Sequence, residues 1–132
     1  MTMKKLEQLL RVTEAHYQRE FAMVKDILAK EGSIRRALAQ LDEQKTQAHS
    51  DLANGMMMQS MGAEILWQTW AAKTRTTLNI ELAQVLARKE TVMDQVRKAF
   101  GRREAVKTML KAEQKNAAKR KARRLYESLA GC

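Results

Sequence analysis

The chain has 132 residues, the size of one ordinary domain, with 45% hydrophobic residues, only 5% aromatic ones and no proline. Ala, Leu, Lys, Arg, Glu and Gln dominate, and 30% of residues are charged. This is the composition of a coiled coil or long helix, which buries a narrow seam and excludes an enclosed core or deep small-molecule pocket.

The net charge of +10 calls for acidic partners: nucleic acid, an anionic membrane surface or an acidic protein face. Met1 to Lys5 is polar and basic with no apolar stretch behind it, so no signal peptide is expected. No apolar run approaches the roughly 20 residues that span a bilayer. The single cysteine, Cys132, has no internal disulfide partner, and a soluble, cytoplasmic protein is the expectation.

A first helix is expected over 3–53. Leu6, Thr13, Glu20, Ile27, Ile34, Leu41 and Ala48 form one stripe of seven-residue spacing, and Leu10, Tyr17, Val24, Glu31, Leu38, Lys45 and Leu52 form another. The two interleave by three and four residues, the a and d positions of a heptad seam. Glu20, Glu31 and Lys45 are polar entries that loosen it. Gly32-Ser33 costs some helix stability, but Ile27 and Ile34 stay in phase across it, so the helix is carried through.

Residues 54–62, Asn-Gly-Met-Met-Met-Gln-Ser-Met-Gly, hold two of the five glycines, one near each end. Asn54-Gly55 is a natural helix stop and Gly62 a natural restart. A chain helical on both sides of one short break most simply folds back on itself. The expected fold is therefore all-α, a long two-helix antiparallel coiled-coil hairpin with the second helix longer than the first.

The second helix is expected over 63–129. Its stripes are Ala71, Leu78, Val85, Val92, Ala99 and Val106, with Leu82, Lys89, Val96, Arg103 and Leu110 interleaved. Leu86, Met93 and Phe100 widen the apolar face, and Gly101 is a tolerated weak spot. At about 1.5 Å per residue the two arms span roughly 75 and 100 Å. The surplus falls from about Glu113 onward, where Lys107, Lys111, Lys115 and Lys119 repeat every four residues and Arg120, Lys121, Arg123 and Arg124 follow. Leu125, Tyr126 and Leu129 then form a small apolar anchor.

No nucleotide-binding or nucleophile-elbow motif is present, and His16 and His49 stand far apart, so neither an enzyme nor a cofactor or metal site is expected. Two features point to binding. The basic C-terminal run suits phosphate or acidic protein contacts, although no aromatic interleaves it before Tyr126. The alternative reading is a solvated helix end with cations near the C-terminal dipole. Trp67 and Trp70, the only tryptophans, stand three residues apart beside Met56, Met57, Met58 and Met61. Such a cluster either closes the end of the bundle or forms a docking patch, since Met is adaptable and Trp is enriched at binding hot spots.

The arrangement resembles the FliJ-type stalk protein of the flagellar type III export apparatus and its counterparts in virulence secretion. The similarity is carried by Lys5-Leu6-Glu7-Gln8-Leu9-Leu10-Arg11, Tyr17-Gln18-Arg19-Glu20, the mid-chain break, and Arg102-Arg103-Glu104-Ala105-Val106 before a Lys/Arg-rich run. It covers the whole chain in size and charge layout. The Met-rich turn with Trp67 and Trp70 departs from the polar turn usual in that family.

The resemblance implies a non-enzymatic central stalk that enters a hexameric flagellar export ATPase, promotes its assembly and links it to the cytoplasmic domain of the export-gate membrane protein. Some members also bind export chaperones. It further implies a cytoplasmic place, peripheral to the inner membrane at the flagellar base. The ATPase-facing end would be Leu6, Leu10, Arg11, Arg103, Lys107, Leu110 and Lys111 with the tail. The gate-facing end would be Met61, Leu66, Trp67, Trp70, Leu78 and Leu82. The alternative functions are a basic coiled-coil nucleic-acid-binding or ribosome-associated protein, and a self-associating adaptor.

Overall fold

The computed structural model of the chain describes residues 2–51 and 57–131, except the side chains of 57–61. Two α-helices account for nearly all of them: α1, Met3–Asp51, and α2, Met57–Ala130. They have 49 and 74 residues, so the second is the longer, as expected, and no strand occurs among the described residues. Thr2 starts α1 as an N-cap: its Oγ1 accepts a hydrogen bond from the Lys5 amide at 3.3 Å. At the far end of α2 the Gly131 amide donates to the Glu127 carbonyl at 3.0 Å.

The second helix starts earlier than the sequence suggests. α2 begins at Met57 rather than at residue 63, and Gly62 lies inside it, on an exposed face. Met and Gln are good helix formers, and one glycine costs about 1 kcal/mol, too little to stop a helix that propagates on both sides. α1 is described as far as Asp51, and the expected end at residue 53, with Leu52 and Asn54-Gly55, lies outside the described residues. Neither Gly32 nor Gly101 interrupts its helix.

The chain divides into two compact units. One joins residues 1–23 to 92–132, and its core is Leu6, Val92, Ala99 and Val106. The other is 24–91, with Val24, Ile27, Ile34, Leu41, Ala71 and Val85 buried. All ten residues fall on the stripes expected from the heptad spacing. Burying a Val, Leu or Ile side chain contributes about 1.5–3 kcal/mol, so these layers hold the helices together.

Within each unit the two helical segments run antiparallel. In the first, Glu14 meets Arg103 and Tyr17 meets Phe100; in the second, Glu31 meets Lys89 and Asp42 meets Arg75. Ascending α1 is matched by descending α2 in both. The seam is narrow, and the residues added to widen it lie partly outside: Leu86 and Phe100 are exposed, while Met93 is half-buried.

Candidate docking surfaces

In the unit formed by the chain ends, the seam residue Arg103 is engaged by carboxylates and rings around it. The Arg103 guanidinium donates to the Glu14 carboxylate at 3.2 Å and to Glu104 at 3.2 Å. It also lies over the Tyr17 ring at 4.2 Å and the Phe100 ring at 5.1 Å, a cation–π arrangement that only a flat, permanently charged group can satisfy together with the two carboxylates. Tyr17 in turn packs on Phe100 at 5.9 Å and on Phe21 at 6.0 Å. Burial works against the Arg103 charge, but Glu14 and Glu104 outweigh it and raise its pKa above the ordinary value.

Glu14 accepts a hydrogen bond from Gln18, and this, with Arg103, lowers its carboxyl pKa below the ordinary value against partial desolvation. Glu20, on the seam, keeps one oxygen buried without a hydrogen-bond partner, with His16 Nε2 4.0 Å from the other. That oxygen and Arg103 Nε are the buried side-chain polar atoms left unpaired among the described residues. They mark where the seam gives up packing quality for charge.

The residues expected to face an ATPase all lie in this unit, but they do different things. Leu6 is 3% exposed and belongs to the core. Leu10 and Leu110 are half-buried, and Arg103 is held in the cluster just described. What remains open to a partner is Arg11 and Lys111, which are exposed, and Lys107, which is half-buried and 3.7 Å from Glu104. Leu10, Arg11, Glu14, Ala15 and Lys107 line one shallow groove there.

The other unit has one charged lock in its seam. Lys89 Nζ donates to Glu31 Oε1 at 2.8 Å, and Arg35 reaches the other oxygen at 3.4 Å. Lys89 is the main reason the Glu31 pKa lies below its ordinary value; desolvation opposes it and Arg35 adds to it. Each is a polar intruder on its own stripe, and they have opposite signs, so the pair was readable from sequence once the register was set. The Asp42–Arg75 bridge further along was not, because both residues flank the seam and carry no stripe signal.

The expected gate-facing residues separate into two sets. Leu66 and Trp70 are exposed, at 74% and 53%, and lie on one outer face one turn apart; Ile65, absent from the sequence reading, is also exposed. Trp67, Leu78 and Leu82 are half-buried on the seam side. Trp67 lines a groove with Lys45, His49, Ala71 and Arg75. The split follows from the helix period: at 100° per residue, 67, 71, 78 and 82 share the seam face while 66 and 70 do not. The Met61 side chain lies outside the described residues, as do Met56 to Met58.

Among the described residues no group of three His, Cys, Asp or Glu side chains converges as a metal site, and no helix is long and apolar enough to cross a membrane. Comparison with known proteins gives no family model, no curated protein and no solved structure that matches this chain at a significant level.

Proposed function

We propose that this chain is a non-enzymatic central stalk of a flagellar type III export ATPase complex, engaging the ring through Arg11, Lys107, Lys111 and the basic tail. The observation that carries the reading is that two charged pairs, Glu14–Arg103 and Glu31–Lys89, are closed between the two helices. Arg103, Glu14, Glu31 and Lys89 lock register rather than present chemistry, while outer-face cations and exposed apolar side chains stay open to partners. A shaft gripped by an ATPase needs that division: a stiff interior and a charged exterior that makes steered, salt-sensitive contacts with acidic loops. The sequence resemblance to the FliJ-type stalk supplies the partner. The gate-facing contact then falls to Leu66 and Trp70, with Trp67, Leu78 and Leu82 supporting them from the seam. Export chaperones are further candidate partners, and the reading puts the protein on the cytoplasmic side at the flagellar base.

The test is the hydrolysis rate of the source organism's export ATPase as this protein is titrated in. Stimulation that saturates near one copy per ring, with ring assembly by sedimentation, is expected. Tight, salt-sensitive RNA binding with no effect on the ATPase overturns the reading in favour of a nucleic-acid binder, which the exposed cations from Lys115 to Arg124 also suit.

A further inference from the structure

The last stretch of α2 carries a second apolar stripe that the helix pair does not use. Along α2 the seam runs through buried Ala99 and Val106 and half-buried Arg103, Leu110, Glu113 and Ala117. Its continuation by the same spacing is Arg120, Arg124 and Glu127, all charged. An apolar line there runs instead through Ala118, Ala122, Leu125 and Leu129, spaced four, three and four, with Tyr126 beside it. At 100° per residue this stripe is centred roughly 110° around the helix from the seam. It is a new heptad line rather than the frayed end of the old one.

Nothing of α1 covers it. In this unit Glu14 faces Arg103 and Tyr17 faces Phe100, so Met3 falls opposite Gln114. From Ala118 to Gly131 every residue is exposed, with Leu125 at 58%, Tyr126 at 74% and Leu129 at 78%. The helix nevertheless continues to Ala130.

We infer that the Ala118–Ala122–Leu125–Leu129 face is a docking surface for an acidic amphipathic α-helix of a partner protein. The spacing selects a helix, because a three-four stripe, here two small Ala followed by two large Leu, accepts the knobs of a second helix. The charges select its sign. Lys119 and Lys121 occupy the positions that flank such a stripe, and Lys115 extends its line. Of the six cations from Lys115 to Arg124, only Arg120 is in an ion pair among the described residues, with Glu113 at 2.9 Å. The single acid beyond Glu113, Glu127, stands on the opposite side of the helix.

A second copy of this chain would set those cations against their like, which costs association rather than favouring it. Two Leu and two Ala bury little area in lipid, and phosphates need no apolar stripe at all. Docking here goes beyond the ATPase-stalk reading and stands without it, since no ATPase enters its test.

The test uses the full-length protein and a dye-labelled synthetic helix of three heptads, with Leu on the stripe positions and Glu flanking them, read by fluorescence anisotropy. Saturable binding is expected. A scrambled peptide of the same composition and charge should bind at least about tenfold more weakly, and so should the original peptide to the Leu125→Ser/Leu129→Ser variant; tenfold corresponds to about 1.4 kcal/mol. Both side chains are exposed, so the variant's helicity by circular dichroism should match the parent. Lys119→Glu/Lys121→Glu should lose the acidic helix and accept its Lys-flanked counterpart. Equal binding of the scrambled peptide, or no loss in the Leu variant, overturns the proposal in favour of plain charge attraction. Binding to phosphatidylserine vesicles without binding to the peptide overturns it in favour of a membrane. Dimerisation that the Leu variant abolishes overturns it in favour of a second copy.

Discussion

Two stretches of α2 have the same kind of heptad pattern and opposite fates. Ala99, Val106 and their interleaved neighbours are covered by α1, while Ala118, Ala122, Leu125 and Leu129 are open to solvent. Spacing alone does not distinguish them. What differs is phase and neighbourhood: the first stripe faces α1 in register, and the second has turned away from that side and lies past the residue opposite Met3. Heptad pattern therefore shows where a helix can be buried. The pairing decides which stripe is buried by this chain and which is left for another.

The comparison can be broken hardest at the covered stripe. Leu6→Ala removes a side chain that is 3% exposed and should cost about 2–4 kcal/mol in urea unfolding, while Leu129→Ala should stay within about 0.5 kcal/mol. If the two substitutions cost the same, the tail stripe is packed in the folded chain and the contrast fails.

The polar positions of the seam come next. Glu31→Gln and Lys89→Met should each lower the melting temperature, with strong coupling in a double-mutant cycle because each leaves the other facing an apolar layer. The lowered pKa values of Glu14 and Glu31 set the sign of the pH dependence. A carboxylate that binds protons less readily when folded contributes stability that is present above its unfolded pKa of about 4.3 and is lost as pH falls through the folded value. Thermal melts between neutral pH and pH about 3 should therefore show an acid-side loss that is shallower in Glu31→Gln.

Arg103→Lys probes the other unit more finely. It keeps the charge beside Glu14 but gives up the flat stack on Tyr17 and Phe100, so it should destabilise less than Arg103→Met and more than the exposed Arg102→Lys. The smallest effect belongs to Gly101→Ala. A Cβ there meets nothing within 4 Å, so relief of the glycine penalty should raise stability by about 0.5–1 kcal/mol.

Local sequence accounts for the two helices, their unequal lengths and the stripes on which the ten buried residues among those described fall. Those properties follow from local propensity and a seven-residue period, both of which are written in one dimension. It also marked Arg11, Lys107 and Lys111, and Leu66 with Trp70, as surface features of interest. Only the tertiary structure decided how they divide. It drew Leu6 into the core and Arg103 into a half-buried charged cluster, because both positions face the opposite helix. It separated Trp67, Leu78 and Leu82 from Leu66 and Trp70, because residues close in sequence diverge by 100° per step around a helix. It moved the start of α2 to Met57, because one glycine cannot outweigh helix formers on both sides of it. And it left the Leu125–Leu129 face uncovered, since whether a stripe is core or surface depends on what stands opposite, which no single helix records.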